Sequence, residues 1–166
     1  NGAGSLTATQ SFTIAVTNTN DTGKVEITGT VTQGQVLTAT VTDDDGVPSD
    51  ASDISYQWRR TLLGSTENIA GANSATYTLV QADVGATMTV RAKYTDVGTT
   101  AEDVTSPATG VVTNTNDPGK VTIAGTAKQG EVLTATVSDD DGVPAAGGIN
   151  YQWKRTLSGN TTNVGT

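Results

Sequence analysis

Residues 16–46, VTNTNDTGKVEITGTVTQGQVLTATVTDDDG, decide the fold because they occur twice in the chain. Residues 112–142 repeat them as VTNTNDPGKVTIAGTAKQGEVLTATVSDDDG, and Gly23 precedes its counterpart Gly119 by 96 residues (119 − 23 = 96). The match continues past a one-residue deletion, where ISYQWRRTLLGSTENI corresponds to INYQWKRTLSGNTTNV. A period of this length fits one domain of about 100 residues and is too long for a solenoid unit.

The period also places the predicted domain boundaries. One complete repeat spans residues 22–117, residues 1–21 hold the last strand and linker of a preceding repeat, and residues 118–166 hold the first half of a following one. Half a domain leaves apolar residues such as Leu133 and Trp153 on an open face. We therefore expect a neighbouring chain, or the remainder of a longer polymer, to cover that half.

Composition and alternation both favour an all-β protein. Thr forms roughly a fifth of the chain, far above ordinary usage, and branched Thr and Val side chains suit a pleated sheet. Apolar residues alternate with polar ones in seven short runs of the complete repeat, separated by Gly, Asp, Asn, Pro and Ser. The runs are marked by Val25 and Ile27, by Leu37 to Val41, by Ile54 to Trp58, by Ile69, by Tyr77 and Leu79, by Met88 to Tyr94, and by Val104 to Val112.

Charge and residue inventory exclude several functions. The net charge is −8, with 17 acidic and nine basic residues, so a nucleic acid is an unfavourable partner. There is no cysteine and no histidine, so the chain has no disulfide, no thiolate metal site and neither of the commonest catalytic groups. No apolar run is long enough to span a membrane. We predict a protein that is not an enzyme, with no catalytic residues.

Particular positions resemble the immunoglobulin fold. Trp58 lies on the predicted third strand, where an immunoglobulin domain keeps its core tryptophan, and Asp83 lies in a turn before the sixth strand. No cysteine pair brackets the tryptophan, and Thr87 stands where the corner tyrosine is expected. The resemblance implies an immunoglobulin-like antiparallel β-sandwich in tandem repeats of period 96.

The chain more closely resembles the repeats of giant bacterial surface proteins, the RTX-type and cadherin-like adhesins. The resemblance implies an extracellular or cell-surface location and neighbouring repeats or chains of the same protein as partners, with any glycan or protein ligand outside this fragment. The motifs that carry it are residues 23–30, 37–46, 56–58, 71–85 and 112–117.

Oxygen-rich segments suggest Ca2+ sites at the domain junctions. Acidic loops follow the second strand of each repeat, and an Asn-Thr-Asn-Asp linker precedes each first strand. In a sandwich these segments and the loop after the sixth strand meet at one pole, where a hard cation offsets the repulsion between carboxylates. The alternative is a solvated turn. The predicted ligands are Asn18, Asn20, Asp21, Asp43, Asp44, Asp45, Asp96, Asn114, Asn116, Asp117, Asp139, Asp140 and Asp141.

Two functions remain open at this point. The first is a stalk or spacer module of a repetitive extracellular adhesin or surface filament, whose junctions Ca2+ stiffens. The alternative is a carbohydrate- or protein-binding immunoglobulin-like module, since exposed aromatic side chains can stack on sugars. Tyr56 and Trp58 share parity with Ile54, however, which predicts that they face the core.

Overall fold

The chain is nearly all β in a computed structural model that describes residues 10–11, 13–14, 19–145 and 147–164. The last strand of a preceding repeat, predicted within residues 1–21, falls largely outside the described residues. Within them the helical segments are two three-residue 3-10 turns, and no helix could cross a membrane. The strands are β1 Lys24–Thr28, β2 Val36–Thr42, β3 Ser55–Leu62, β4 Ser65–Asn68, β5 Thr76–Thr78, β6 Thr87–Thr95, β7 Ala101–Thr105, β8 Lys120–Ala124, β9 Thr134–Ser138, β10 Lys154–Leu157 and β11 Asn160–Asn163.

Seven strands of the predicted complete repeat form two antiparallel sheets. One sheet has the order β1-β2-β5 and the other β4-β3-β6-β7. The last strand is shorter than the sequence predicts, since β7 ends at Thr105 and Pro107, which has no N–H to donate, follows. Beyond it the chain leaves one sheet for the other: the Val112 N–H donates to Ala86 O and the Thr113 N–H donates to Val31 O.

Side chains from both sheets meet in a single core. Val25 and Leu37 come from the first sheet, and Trp58, Met88 and Val90 come from the second; all are at most 3% exposed. The alternation of apolar and polar residues along each strand places these side chains on one face. The predicted burial of Trp58 is confirmed.

Trp58 is fixed in the core by its ring nitrogen as well as by packing. Its Nε1 donates to the Ser74 carbonyl oxygen at 2.9 Å. Its ring stacks on Tyr77, with 5.7 Å between ring centroids. The indole therefore buries its apolar surface without leaving its one polar atom unpaired.

A buried carboxylate organises the corner before β6. Asp83 is completely buried, and its Oδ2 accepts hydrogen bonds from the Tyr77 hydroxyl at 2.8 Å and the Val80 N–H at 2.9 Å. Its Oδ1 faces Arg60 Nη1 at 3.3 Å. Thr87 makes the corner look incomplete in the sequence, but Tyr77 supplies a hydroxyl to this corner from the preceding strand.

Replacing Tyr77 by Phe should change the response of the protein to alkaline pH. Burial, and then the bond to Asp83, raise the pKa of the Tyr77 hydroxyl above its ordinary 10.0. A raised pKa means that the stabilisation is complete below pH 10.0 and is lost as the pH rises through the folded-state pKa. Urea unfolding at pH 7 to 12 should show a smaller alkaline loss in Tyr77→Phe than in the parent. Equal pH profiles would contradict the assignment.

The two hairpins of the second unit repeat local features of the first. β8 pairs with β9 with Lys120 opposite Ser138, as β1 pairs with β2 with Lys24 opposite Thr42. Their apolar face is open, however, since Val121 is 65% exposed where Val25 is 3% exposed. The predicted open face is therefore present in the described part of residues 118–166.

Candidate metal centre at the domain junction

The linker into the complete repeat is tied to the acidic loop that follows β2. The Asp21 N–H donates to Asp45 Oδ2 at 2.6 Å. The Asp45 N–H in turn donates to Asp43 Oδ1 at 2.9 Å, which folds the loop back on itself. The structure thus brings together the linker and loop that the sequence predicts to share one pole.

Three carboxylates converge beside this contact. Asp43, Asp96 and Glu102 each offer one oxygen, and the three oxygens lie within 4.8 Å of one another. Asp96 and Glu102 are buried and Asp43 is half-buried. Oxygen ligands at 2.3–2.6 Å from one Ca2+ can be at most about 5 Å apart, so the spacing is compatible with one shared ion.

Glu102 is a residue that the sequence analysis missed. It lies on β7, opposite Tyr94 of β6, and it shares the inward face with Val104. Its Oε1 accepts from Asn20 Nδ2 at 3.0 Å and its Oε2 accepts from the Gly23 N–H at 3.4 Å. The alternation of β7 contains the signal, because a glutamate with the parity of a core valine must face inward.

Asp96 has an oxygen without a partner. Its Oδ1 accepts from the Thr100 N–H at 2.6 Å, which closes the turn between β6 and β7. Its Oδ2 is buried and has no hydrogen-bond partner among the described residues. A buried carboxylate oxygen without a donor carries a desolvation cost that a bound cation would remove.

Gly23, the first residue of the motif at residues 23–30, leaves room for this cluster because it has no Cβ. A Cβ at Gly23 would lie 1.7 Å from the Tyr94 hydroxyl and 2.7 Å from Asp43 Oδ2. The Tyr94 hydroxyl itself donates to Asp43 Oδ2 at 2.7 Å. Burial, and then this hydrogen bond, raise the pKa of the Tyr94 hydroxyl above its ordinary 10.0.

The three carboxylates of the cluster have no basic partner among the described residues. Asp103, which lies next to Glu102 on β7, differs in this respect. Asp103 points outward and pairs with Arg91 and with Lys93, and the Arg91 guanidinium lowers the pKa of Asp103 to about 2. No salt bridge within the described residues involves the three converging carboxylates. Like charges within 4.8 Å of one another repel, and the repulsion between two such charges is about 3 kcal/mol or more at an effective dielectric constant of about 20.

The second junction repeats the linker contact. The Asp117 N–H donates to Asp141 Oδ2 at 2.8 Å, and the Asp141 N–H donates to Asp139 Oδ1 at 2.9 Å. Within the described residues no third carboxylate joins this pair. The remaining predicted ligands are exposed and outside the three-carboxylate cluster, namely Asp44, Asn114, Asn116 and Asp140.

The predicted ligands therefore differ in how far the structure supports them. Asp43 and Asp96 belong to the cluster, Asn20 and Asp21 contact it or its loop, and Asn18 lies outside the described residues. The chemistry available at this pole is the binding of a hard cation by oxygen atoms. No family model matches the chain, and no curated protein matches it.

Proposed function

We propose that the chain is a spacer module from a tandem array of immunoglobulin-like β-sandwich repeats in an extracellular bacterial adhesin or surface filament. The observation that carries the proposal is the recurrence of one junction contact. The Asp21 N–H donates to Asp45 and the Asp117 N–H donates to Asp141, each across 24 residues. A spacer needs the same joint between successive units, whereas a ligand site need not recur.

Calcium is the cation that this function implies at the first junction. The site draws Asp43, Asp96 and Glu102 from loops and a strand of the complete repeat, while Asn20 of the linker contacts Glu102. Ca2+ accepts six to eight oxygen ligands in flexible geometry, so carboxylates, carbonyls and water together suit it. Binding would offset the repulsion among the acids and stiffen the entry of the chain into the domain.

The four aromatic residues that mark the strands of the complete repeat give little support to the carbohydrate-binding alternative. Trp58 and Tyr94 are buried in the core, and Tyr56 and Tyr77 are half-buried. A sugar stacks on an exposed aromatic face, which none of these four residues presents. The spacer proposal accounts for their positions as packing.

Calcium should raise the melting temperature of the chain. Extracellular modules bind it at about 0.1–1 mM, so we would compare about 10 mM calcium with EDTA. That is a tenfold to hundredfold excess over the dissociation constant, which adds about 1.4–2.7 kcal/mol per site. Differential scanning calorimetry measures the shift, and superimposable curves would overturn the calcium proposal.

The variant Asp96→Asn separates cation binding from general stability. It keeps the shape of the side chain but removes one of three repelling charges, so in EDTA it should melt at or above the temperature of the parent. In calcium, the melting temperature of Asp96→Asn should rise much less than that of the parent. Glu26→Gln is the matched control, because Glu26 is an exposed carboxylate on β1, and it should keep the full calcium response. An undiminished response in Asp96→Asn would place the ion elsewhere.

A further inference from the structure

The exit from the complete repeat contains a second set of junction contacts, made by Gln33. This residue lies between β1 and β2, at the end of the domain away from the carboxylate cluster. Its backbone N–H donates to Thr113 O at 2.9 Å, and Thr32 and Thr113 form a parallel bridge. The main chain of Gln33 is therefore anchored to the last residues before the linker.

The side-chain amide of Gln33 forms hydrogen bonds to the linker through both its nitrogen and its oxygen. Its Nε2 donates to Asp117 Oδ2 at 2.7 Å, and its Oε1 accepts from the Thr115 N–H at 3.1 Å. The carbonyl oxygen of Gln33 also accepts from Thr115 Oγ1 at 3.2 Å. A side-chain amide offers both a donor and an acceptor from one planar group.

Asp117 connects this arrangement to the next unit. Its side chain accepts from Gln33 of the complete repeat, and its N–H donates to Asp141 of the following one. One linker residue thus carries hydrogen bonds to two successive units. The repeat places Gln129 at the position equivalent to Gln33, which offers the same amide to the linker that would follow.

We infer that Gln33 is a positioning residue that fixes the course of the chain from one repeat to the next through hydrogen bonds that need no cation. The inference concerns the joint of the proposed spacer, but it does not depend on calcium there. The direction of the joint comes from Gln33, which donates to the Asp117 side chain, and from Asp141, which accepts from the Asp117 N–H. Calcium at the carboxylate cluster is a separate contribution at the entry to the domain.

The joint can be measured by pulsed electron paramagnetic resonance between two spin labels. The chain has no cysteine, so Thr40→Cys and Thr136→Cys, at exposed equivalent positions on β2 and β9, provide the only attachment sites. In EDTA we expect one narrow distance distribution for the parent. Gln33→Glu keeps the shape, loses the donor and sets a negative charge against Asp117, so the distribution should broaden.

Gln35→Glu is the matched control, with the same change of charge two residues away at an exposed position with no side-chain hydrogen bond in the described structure. It should leave the distribution narrow. Hydrogen exchange of the Thr115 amide gives a second measurement: losing its acceptor in Gln33→Ala should speed exchange by up to about tenfold, the worth of one net hydrogen bond.

Two results would overturn the inference. The first is a distribution and a Thr115 exchange rate that Gln33 variants leave unchanged. The second is a parent distribution that is broad in EDTA and narrows only in calcium, because the joint would then depend on the cation. The two proposals can fail separately. If calcium does not change the melting temperature, but Gln33→Glu broadens the distance distribution, the calcium proposal is wrong and this inference stands.

Discussion

Trp58→Ala should lower the free energy of unfolding of the complete repeat by about 3–5 kcal/mol, the usual cost of emptying a large aromatic site in a core. Trp58 is completely buried between the two sheets and packs on Tyr77. The substitution also leaves the Ser74 carbonyl oxygen without its indole donor. A loss of this size is a large part of the 5–15 kcal/mol that holds a typical domain together.

The second tryptophan supplies a matched control. Trp153 occupies the equivalent position in the sequence repeat, but it is only partly buried, beside the open face of the second unit. Trp153→Ala should therefore cost much less in urea unfolding. With Trp153 replaced by Phe, fluorescence reports on Trp58 alone, and its emission should shift to longer wavelength in one transition. Equal costs for the two alanine variants would contradict the core assignment.

The fold was largely predictable because strand alternation is a local signal. Val25, Leu37 and Val90 each sit in a run whose parity alone places them inward, and the structure buries all three. The end of the last strand was not predictable in the same way. After Pro107 the chain stays beside β6 as far as Val112 and then pairs with Val31, and no short window of sequence contains such pairing between distant segments.

The candidate site was predictable in part for the same reason. The acidic loop and linker are conspicuous in composition, which singles out Asp43, and Asp96 follows from its place in the loop after the sixth strand. Glu102 was missed because its role depends on the register of β6 with β7, which sets it opposite Tyr94 and near Asn20. A single glutamate in a strand does not stand out in the composition. Only its position two residues from Val104, on the same face of the strand, indicates that it faces inward.

Asp83 was underestimated for a related reason. An aspartate two residues before a glycine is typical of an ordinary turn, but this one is completely buried. A buried carboxylate is stable only when donors surround it. The donors come from Tyr77, Val80 and Arg60, and the last of these lies on a different strand. At the pole opposite the carboxylate cluster, the buried acid Asp83 therefore has hydrogen-bond and ion-pair partners for both of its oxygens.

Asp83→Ala should destabilise the repeat by about 3–5 kcal/mol, comparable with Trp58→Ala, although it removes little apolar surface. It leaves two donors, the Tyr77 hydroxyl and the Val80 N–H, without their acceptor, and a buried unsatisfied donor costs about 1–3 kcal/mol. It also removes one of the two carboxylates that face Arg60, which keeps its pairing with Glu67. Urea unfolding at neutral pH measures the difference.

Two further variants show whether the cost comes from the donors. Asp83→Asn keeps one acceptor oxygen, so it should lose less than Asp83→Ala, and Tyr77→Phe in the Asp83→Ala background should cost little more because its bond is already gone. Asp103→Ala removes an exposed carboxylate that is also paired with an arginine, and surface pairs contribute little. We expect Asp83→Ala to lower the free energy of unfolding far more than Asp103→Ala. Equal losses would contradict the assignment, because the burial of Asp83 and its hydrogen bonds would then contribute nothing to stability.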